Sequence, residues 1–125
     1  MKEIVDTDDA PAAVGAYSQA TTTDDLVFTA GQLPMTPDGE LLDSASVADQ
    51  TEQALSNVEA VLAEAGASMD DVLKATVFLN DIDDFDEMNE TYGTFFQSDP
   101  PARSAVGVDA LPKGVAIEIE AVAVK

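Results

Sequence analysis

The sequence predicts an α+β fold: one mixed β-sheet with two helices packed on a single face. Two stretches repeat apolar residues every three or four positions, while five others are β-branched or alternate with period two. They follow one another as strand, strand, helix, strand, helix, strand, strand, an order that suits a helix layer on a sheet. At 125 residues and 46% hydrophobic content the chain is long enough for one such core, so residues 1–125 are read as a single domain.

The first ten residues are acidic and carry a short edge strand at Glu3 to Val5 before Ala10-Pro11. Tyr17 to Thr22 and Leu26 to Ala30 flank Thr23-Asp24-Asp25, a hairpin signal. Gly31-Gln32-Leu33-Pro34 stops the second strand, and Pro37-Asp38-Gly39 marks a turn beyond it. Ser46-Val47-Ala48-Asp49 resembles a capping box with Asp in place of Glu. It opens a helix whose apolar face runs through Val47, Leu55, Val58, Val61 and Leu62 and which ends at Gly66. Ser68 caps a single turn through Asp71, and Val72 to Leu79 then reads as a largely buried strand. The second helix is expected over 84–97, with Phe85, Met88, Tyr92, Phe95 and Phe96 as its stripe and Asn89 on the flank of that stripe. Pro100-Pro101 breaks it and forces extended backbone from Ala102 to Val108. After the turn Leu111-Pro112-Lys113-Gly114, period two in Val115 to Val124 places Val115, Ile117, Ile119, Ala121 and Ala123 on one face. Glu118 and Glu120 point together from the other.

Composition excludes much chemistry. With no cysteine and no histidine there are no disulfides, no thiolate or imidazole catalysis and no Cys/His metal site. Twenty-five acids against five bases give a net charge of -20, which disfavours nucleic acid and anionic membranes as partners. No apolar run approaches the roughly 20 residues of a membrane span, and the acidic opening lacks the apolar core of a signal peptide, so a cytoplasmic location is expected. Sixteen Asp with only four Lys suggest a halophilic protein. Its melting temperature is expected to climb with added KCl.

The chemistry that remains centres on Arg103, the only arginine in the chain. A guanidinium stays charged and offers a planar fork that fits a carboxylate bidentately. Arg103 either pairs with a neighbouring acid or waits for an anionic ligand. Glu118 lies near the start of the last strand, and a carboxylate within reach of an arginine-held anion is the minimum equipment for activating water without histidine. If the strands holding Arg103 and Glu118 pair as antiparallel neighbours, their ends are offset and the two groups meet only across a subunit boundary. The alternative is that Glu118 and Glu120 form an acidic solvated face, although the strand around them is apolar on both faces and better suited to an interface.

Several segments together carry a resemblance: residues 10–19 (APAAVGAYSQ), 29–34 (TAGQLP), 74–79 (KATVFL), 89–96 (NETYGTFF), 101–104 (PARS) and 117–121 (IEIEA). In this order and over nearly the whole chain they resemble the Rid (YjgF-like) family of reactive-intermediate deaminases. The resemblance implies a chorismate-mutase-like homotrimer whose sheets face inward and whose sites lie between subunits. It also implies hydrolysis of enamines and imines such as 2-aminoacrylate and 2-iminobutanoate to 2-oxo acids and ammonia, with no cofactor and no metal. By the same resemblance Arg103 clamps the substrate carboxylate and Glu118 holds the attacking water. Tyr17, Asn89 and Glu120 line the pocket, and Gly31 and Ala105 approach the ligand through backbone groups. Three positions depart from the family pattern: Ala16 where proline is usual, Ala30 where many members have a hydroxyl, and Ala105 where many have cysteine. A non-catalytic trimeric module that binds small 2-oxo acids or amino acids is the alternative, and the missing hydroxyl at Ala30 gives it weight.

Overall fold

The computed structural model describes all of residues 1–125. Its strands are β1 (Glu3–Val5), β2 (Ala20–Thr22), β3 (Leu26–Thr29), β4 (Val72–Leu79), β5 (Ala102–Gly107) and β6 (Ile117–Val124), with helices α1 (Val47–Glu64) and α2 (Phe85–Phe95). They form one six-stranded sheet in the order β1-β2-β3-β6-β4-β5, antiparallel except for the β4–β5 pair. That exception follows from connectivity, because α2 carries the chain from the end of β4 back to its start and so delivers β5 parallel to it.

Local signals set most boundaries. Ser46 accepts a hydrogen bond from the Asp49 amide at 3.1 Å and starts α1, although no return bond from the Asp49 carboxylate completes a capping box. The reciprocal arrangement forms at the single 3-10 turn Met69–Asp71, where the Asp71 carboxylate accepts from the Ser68 amide at 2.8 Å. The second helix is shorter than its stripe suggests. Ile82–Asp84 forms a 3-10 turn, α2 begins only at Phe85, and it ends at Phe95, before the proline pair.

Both helices lie on one face of the sheet. Val27, Val77, Leu79, Ile117, Ile119 and Ala123 point into this layer and meet Leu55, Val58, Val61, Leu62 and Met88, all buried. The opposite face has no cover. Val72 to Leu79 is therefore not a largely buried strand: Ala75, Val77 and Leu79 are enclosed, whereas Lys74, Thr76 and Phe78 point to the uncovered side. Phe28, Val106 and Val124 stay exposed there: Phe28 and Val124 lie beside half-buried Val122, and Val106 lies beside Phe78 further along the sheet, so a single subunit leaves apolar side chains of this face in water.

Candidate active site

Pairing decides where the two charged groups go. Arg103 and Glu118 do not sit on neighbouring strands, because β4 lies between β5 and β6. Arg103 is in register with buried Ala75 and thus faces the helices, while Glu118 is in register with Phe78 and faces the uncovered side. One subunit holds them on opposite faces of its own sheet, so a site using both needs two copies.

Arg103 is on the edge strand, half-buried against α2. Its guanidinium lies 4.7 Å from the Tyr92 ring centre and 5.3 Å from that of Phe85, stacked in the manner of a cation on an aromatic face. One nitrogen donates to Asn89 Oδ1 at 2.7 Å. Asn89, on the exposed side of the helical stripe, is thus a neutral tether that fixes the fork and leaves its charge unmatched. No acid of the chain pairs with Arg103, although twenty-five acids are available. Ala105 turns its side chain to the core. Because the Val108 amide bonds back to Leu79 at 2.8 Å, alternation points the amides of Arg103, Ala105 and Gly107 outward from the sheet edge. The backbone groups of Ala105 are therefore free donors and acceptors next to the arginine.

Glu118 lies in a separate cleft of about 620 Å³, lined by Pro11, Val14, Tyr17, Ala30, Gly31, Leu33, Met35 and Lys113 among others. Burial first, and the charge of neighbouring Glu120 second, push its carboxyl above the usual glutamate range. A β-bridge holds the cleft floor to β6, with the Gln32 amide bonded to Ile119 O at 2.7 Å and the Ile119 amide to Gln32 O at 3.1 Å. This draws Gly31 onto Glu118 so closely that a Cβ at position 31 collides with the carboxylate. A side chain at position 31 would oblige the Glu118 carboxylate to move aside. Tyr17 is 54% exposed at the cleft wall, presenting its ring to whatever enters. Glu120 is half-buried in register with Thr76, beside the cleft and outside its lining.

Residue-by-residue reading of the sequence misses the groups that build the walls. Gln19, 2% exposed, accepts from the Thr7 amide at 2.7 Å and donates to the carbonyls of Thr7 at 3.0 Å and Pro11 at 2.8 Å, while its own carbonyl receives the Ala30 amide at 2.8 Å. Side chain and backbone of one residue thereby tie the Thr7–Pro11 and Ala30 segments together. Buried Asn57 donates to Leu33 O at 3.1 Å and Met35 O at 2.8 Å, and buried Gln50 accepts from the Ala116 amide at 2.8 Å. Three neutral carboxamides thus satisfy loop groups that burial would otherwise leave unpaired. Lys113 is a further lining residue outside the predicted set.

Comparison with known proteins agrees with this fold. A family model described as endoribonuclease L-PSP matches residues 7–125. A RutC family protein of Pyrococcus horikoshii is 47% identical over 125 residues, covering 100% of this chain and 99% of its own. The 2-iminobutanoate/2-iminopropanoate deaminase of Rattus norvegicus is 46% identical over 125 residues, covering 100% and 91%. The crystal structure of YyfA from Yersinia pestis, a member of the conserved Rid protein family, superimposes with a TM-score of 0.96 at 39% identity and 100% coverage of both chains.

Proposed function

Because the chain belongs to the endoribonuclease L-PSP family, which includes the Rid (YjgF-like) proteins, we propose that it hydrolyses 2-imino acids to 2-oxo acids and ammonia. The expected substrates are 2-iminobutanoate and 2-iminopropanoate, reached directly or through enamines such as 2-aminoacrylate. The observation that carries this reading is the unmatched charge of Arg103: a guanidinium oriented by a neutral amide and two rings, beside outward backbone amides, is arranged for an external carboxylate. A relative named as this deaminase and 46% identical across the whole chain supports the substrate class.

The chemistry asks little of the protein. A 2-imino acid is already electrophilic at carbon, so rate comes from holding its carboxylate and delivering water to the C=N bond. We assign the clamp to Arg103 and the outward amide of Ala105. Glu118 holds the water and takes a proton as oxygen attacks, and the protonated carboxyl passes it to nitrogen to give the carbinolamine; Glu118 then takes the hydroxyl proton and delivers it to nitrogen as the C–N bond breaks, leaving the 2-oxo acid and ammonia. A carboxyl raised by burial is better matched to these transfers near neutrality than an ordinary glutamate. Tyr17 and Gly31 shape the cleft, Asn89 orients the clamp, and Glu120 keeps Glu118 basic. No cofactor enters this scheme.

The two halves of the site lie on opposite faces of the sheet, and Phe28, Val106 and Val124 are uncovered on one of them. We therefore propose a homotrimer in which these faces meet, so that Arg103 of one copy approaches the Glu118 cleft of the next. The family description also names RNA cleavage, but a -20 chain whose five bases are scattered along the sequence is poorly suited to a phosphate backbone. No helix is long and apolar enough to cross a membrane, and we place the activity in the cytoplasm.

The test is ammonia release from freshly generated 2-imino acids at molar KCl. Wild type is expected to accelerate it, and Arg103→Ala to lower kcat/KM roughly 100-fold, as expected for loss of one partner of a buried ion pair. Undiminished ligand binding with no acceleration by wild type favours the binding-module alternative.

A further inference from the structure

Three independent features meet at Lys113. It is one of two non-glycine residues with a left-handed backbone, at φ 59° and ψ 15°, and Gly114 continues the turn at φ 73°. Lysine has no special tolerance for that region, and residues kept there cluster at ligand sites. The turn places Lys113 in the lining of the cleft, five residues before Glu118. Secondly, Lys113 and Glu118 are the only charged residues lining the cleft. Thirdly, the Lys113 ammonium has no partner. Lys74 donates to Ser104 and Lys125 to the Thr23 carbonyl, whereas exposed Lys113, like Lys2 outside the cleft lining, has no hydrogen bond or ion pair. Nor is it among the charges that act on Glu118, which responds to burial and to Glu120.

We propose that Lys113 is a specificity-determining contact that favours 2-imino and 2-oxo acids carrying a second carboxylate at the end distal to the reacting carbon. The inference rests on the reading above, in which Arg103 of a neighbouring copy holds the first carboxylate. Lys113 comes from a different element, the loop before β6, so it is free to meet the other end of the ligand. A cleft of about 620 Å³ is roomy for a five-carbon diacid, and an ammonium is a compact point charge able to meet a terminal carboxylate without demanding a fixed plane. The remaining lining near it is apolar or neutral, so a second carboxylate has no other cation to turn to within the same cleft.

The experiment measures equilibrium binding of 2-oxoglutarate and 2-oxobutanoate to wild type, Lys113→Gln and Lys113→Arg, at one KCl concentration where all three melt alike. In Lys113→Gln the affinity for 2-oxoglutarate is expected to fall roughly fivefold, the size of one close charge pair in a water-exposed site, while that for 2-oxobutanoate stays within about twofold. Lys113→Arg is expected to keep most of the preference. Equal weakening of both acids, no change in either, or no binding of either by wild type overturns the proposal. Since no turnover is needed, the two readings fail separately. Discrimination without ammonia release sinks only the catalytic one, and ammonia release without discrimination sinks only this one.

Discussion

The two faces of the sheet are built for different purposes. On the covered face the sheet contributes Val77, Leu79, Ile117 and Ile119, fully enclosed by the helices, with Arg103 only at the edge strand. On the open face the alternate residues of the same strands are Phe78, Glu118 and Glu120, half-buried, with exposed Phe28 and Val106 nearby. Period two alone separates them, so a strand such as β6 contributes to stability and to chemistry at once without compromise between the two. Changes to the enclosed side chains of β6 should alter stability and spare turnover, and a change to Glu118 on its other face should do the reverse.

Glu118→Gln tests that division most severely. Turnover is expected to fall about 10²–10⁴-fold, the usual contribution of a positioned acid–base group, while the fold should become more stable rather than less. Burial and Glu120 raise the Glu118 carboxyl, so the folded state holds this proton more firmly than the unfolded chain. The stability of wild type therefore declines as pH rises from the ordinary glutamate range through the raised value. Glutamine removes that decline. Melting curves should diverge in favour of the variant as pH increases and coincide in acid, and a variant that melts lower at neutral pH would break the comparison.

Ile119→Ala, one residue along and on the covered face, is expected to cost about 2–5 kcal/mol of stability, with kcat per folded molecule unchanged. Denaturant unfolding and active-site titration distinguish this from a catalytic defect. The smallest effect sharpens the contact between the faces. Gly31→Ala pushes a Cβ into the Glu118 carboxylate, and displacing that group should reduce kcat about 10–100-fold while leaving the melting temperature within a few degrees. Full activity in that variant would mean that the carboxylate need not stay where it is seen.

Much of this was legible in the sequence because it is local. The Ser46 cap, the proline pair after α2 and the alternation in β6 each act within a few residues, and the elements appear at these places, with α2 inside its expected bounds and β2 and β6 starting at Ala20 and Ile117 rather than Tyr17 and Val115. The order of the strands is not local. Insertion of β4 between β5 and β6 follows from long-range pairing, and without it the opposite facing of Arg103 and Glu118 cannot be foreseen. The wall amides were invisible for a related reason. A glutamine such as Gln19, just before β2, announces nothing until the backbone it satisfies, twelve residues earlier, is folded against it. Lys113 lay in a recognised turn, but the turn motif does not say which residue takes the left-handed position.

The central claim is that the catalytic pair is completed by two copies of the chain. It is tested most directly by co-expressing Arg103→Ala with Glu118→Gln, each severely impaired alone. If Arg103 of one subunit serves the Glu118 cleft of the next, random mixing leaves about one interface in four with both native groups, and about a quarter of wild-type activity should return. Mixed assemblies that form but remain as impaired as either parent would contradict the account.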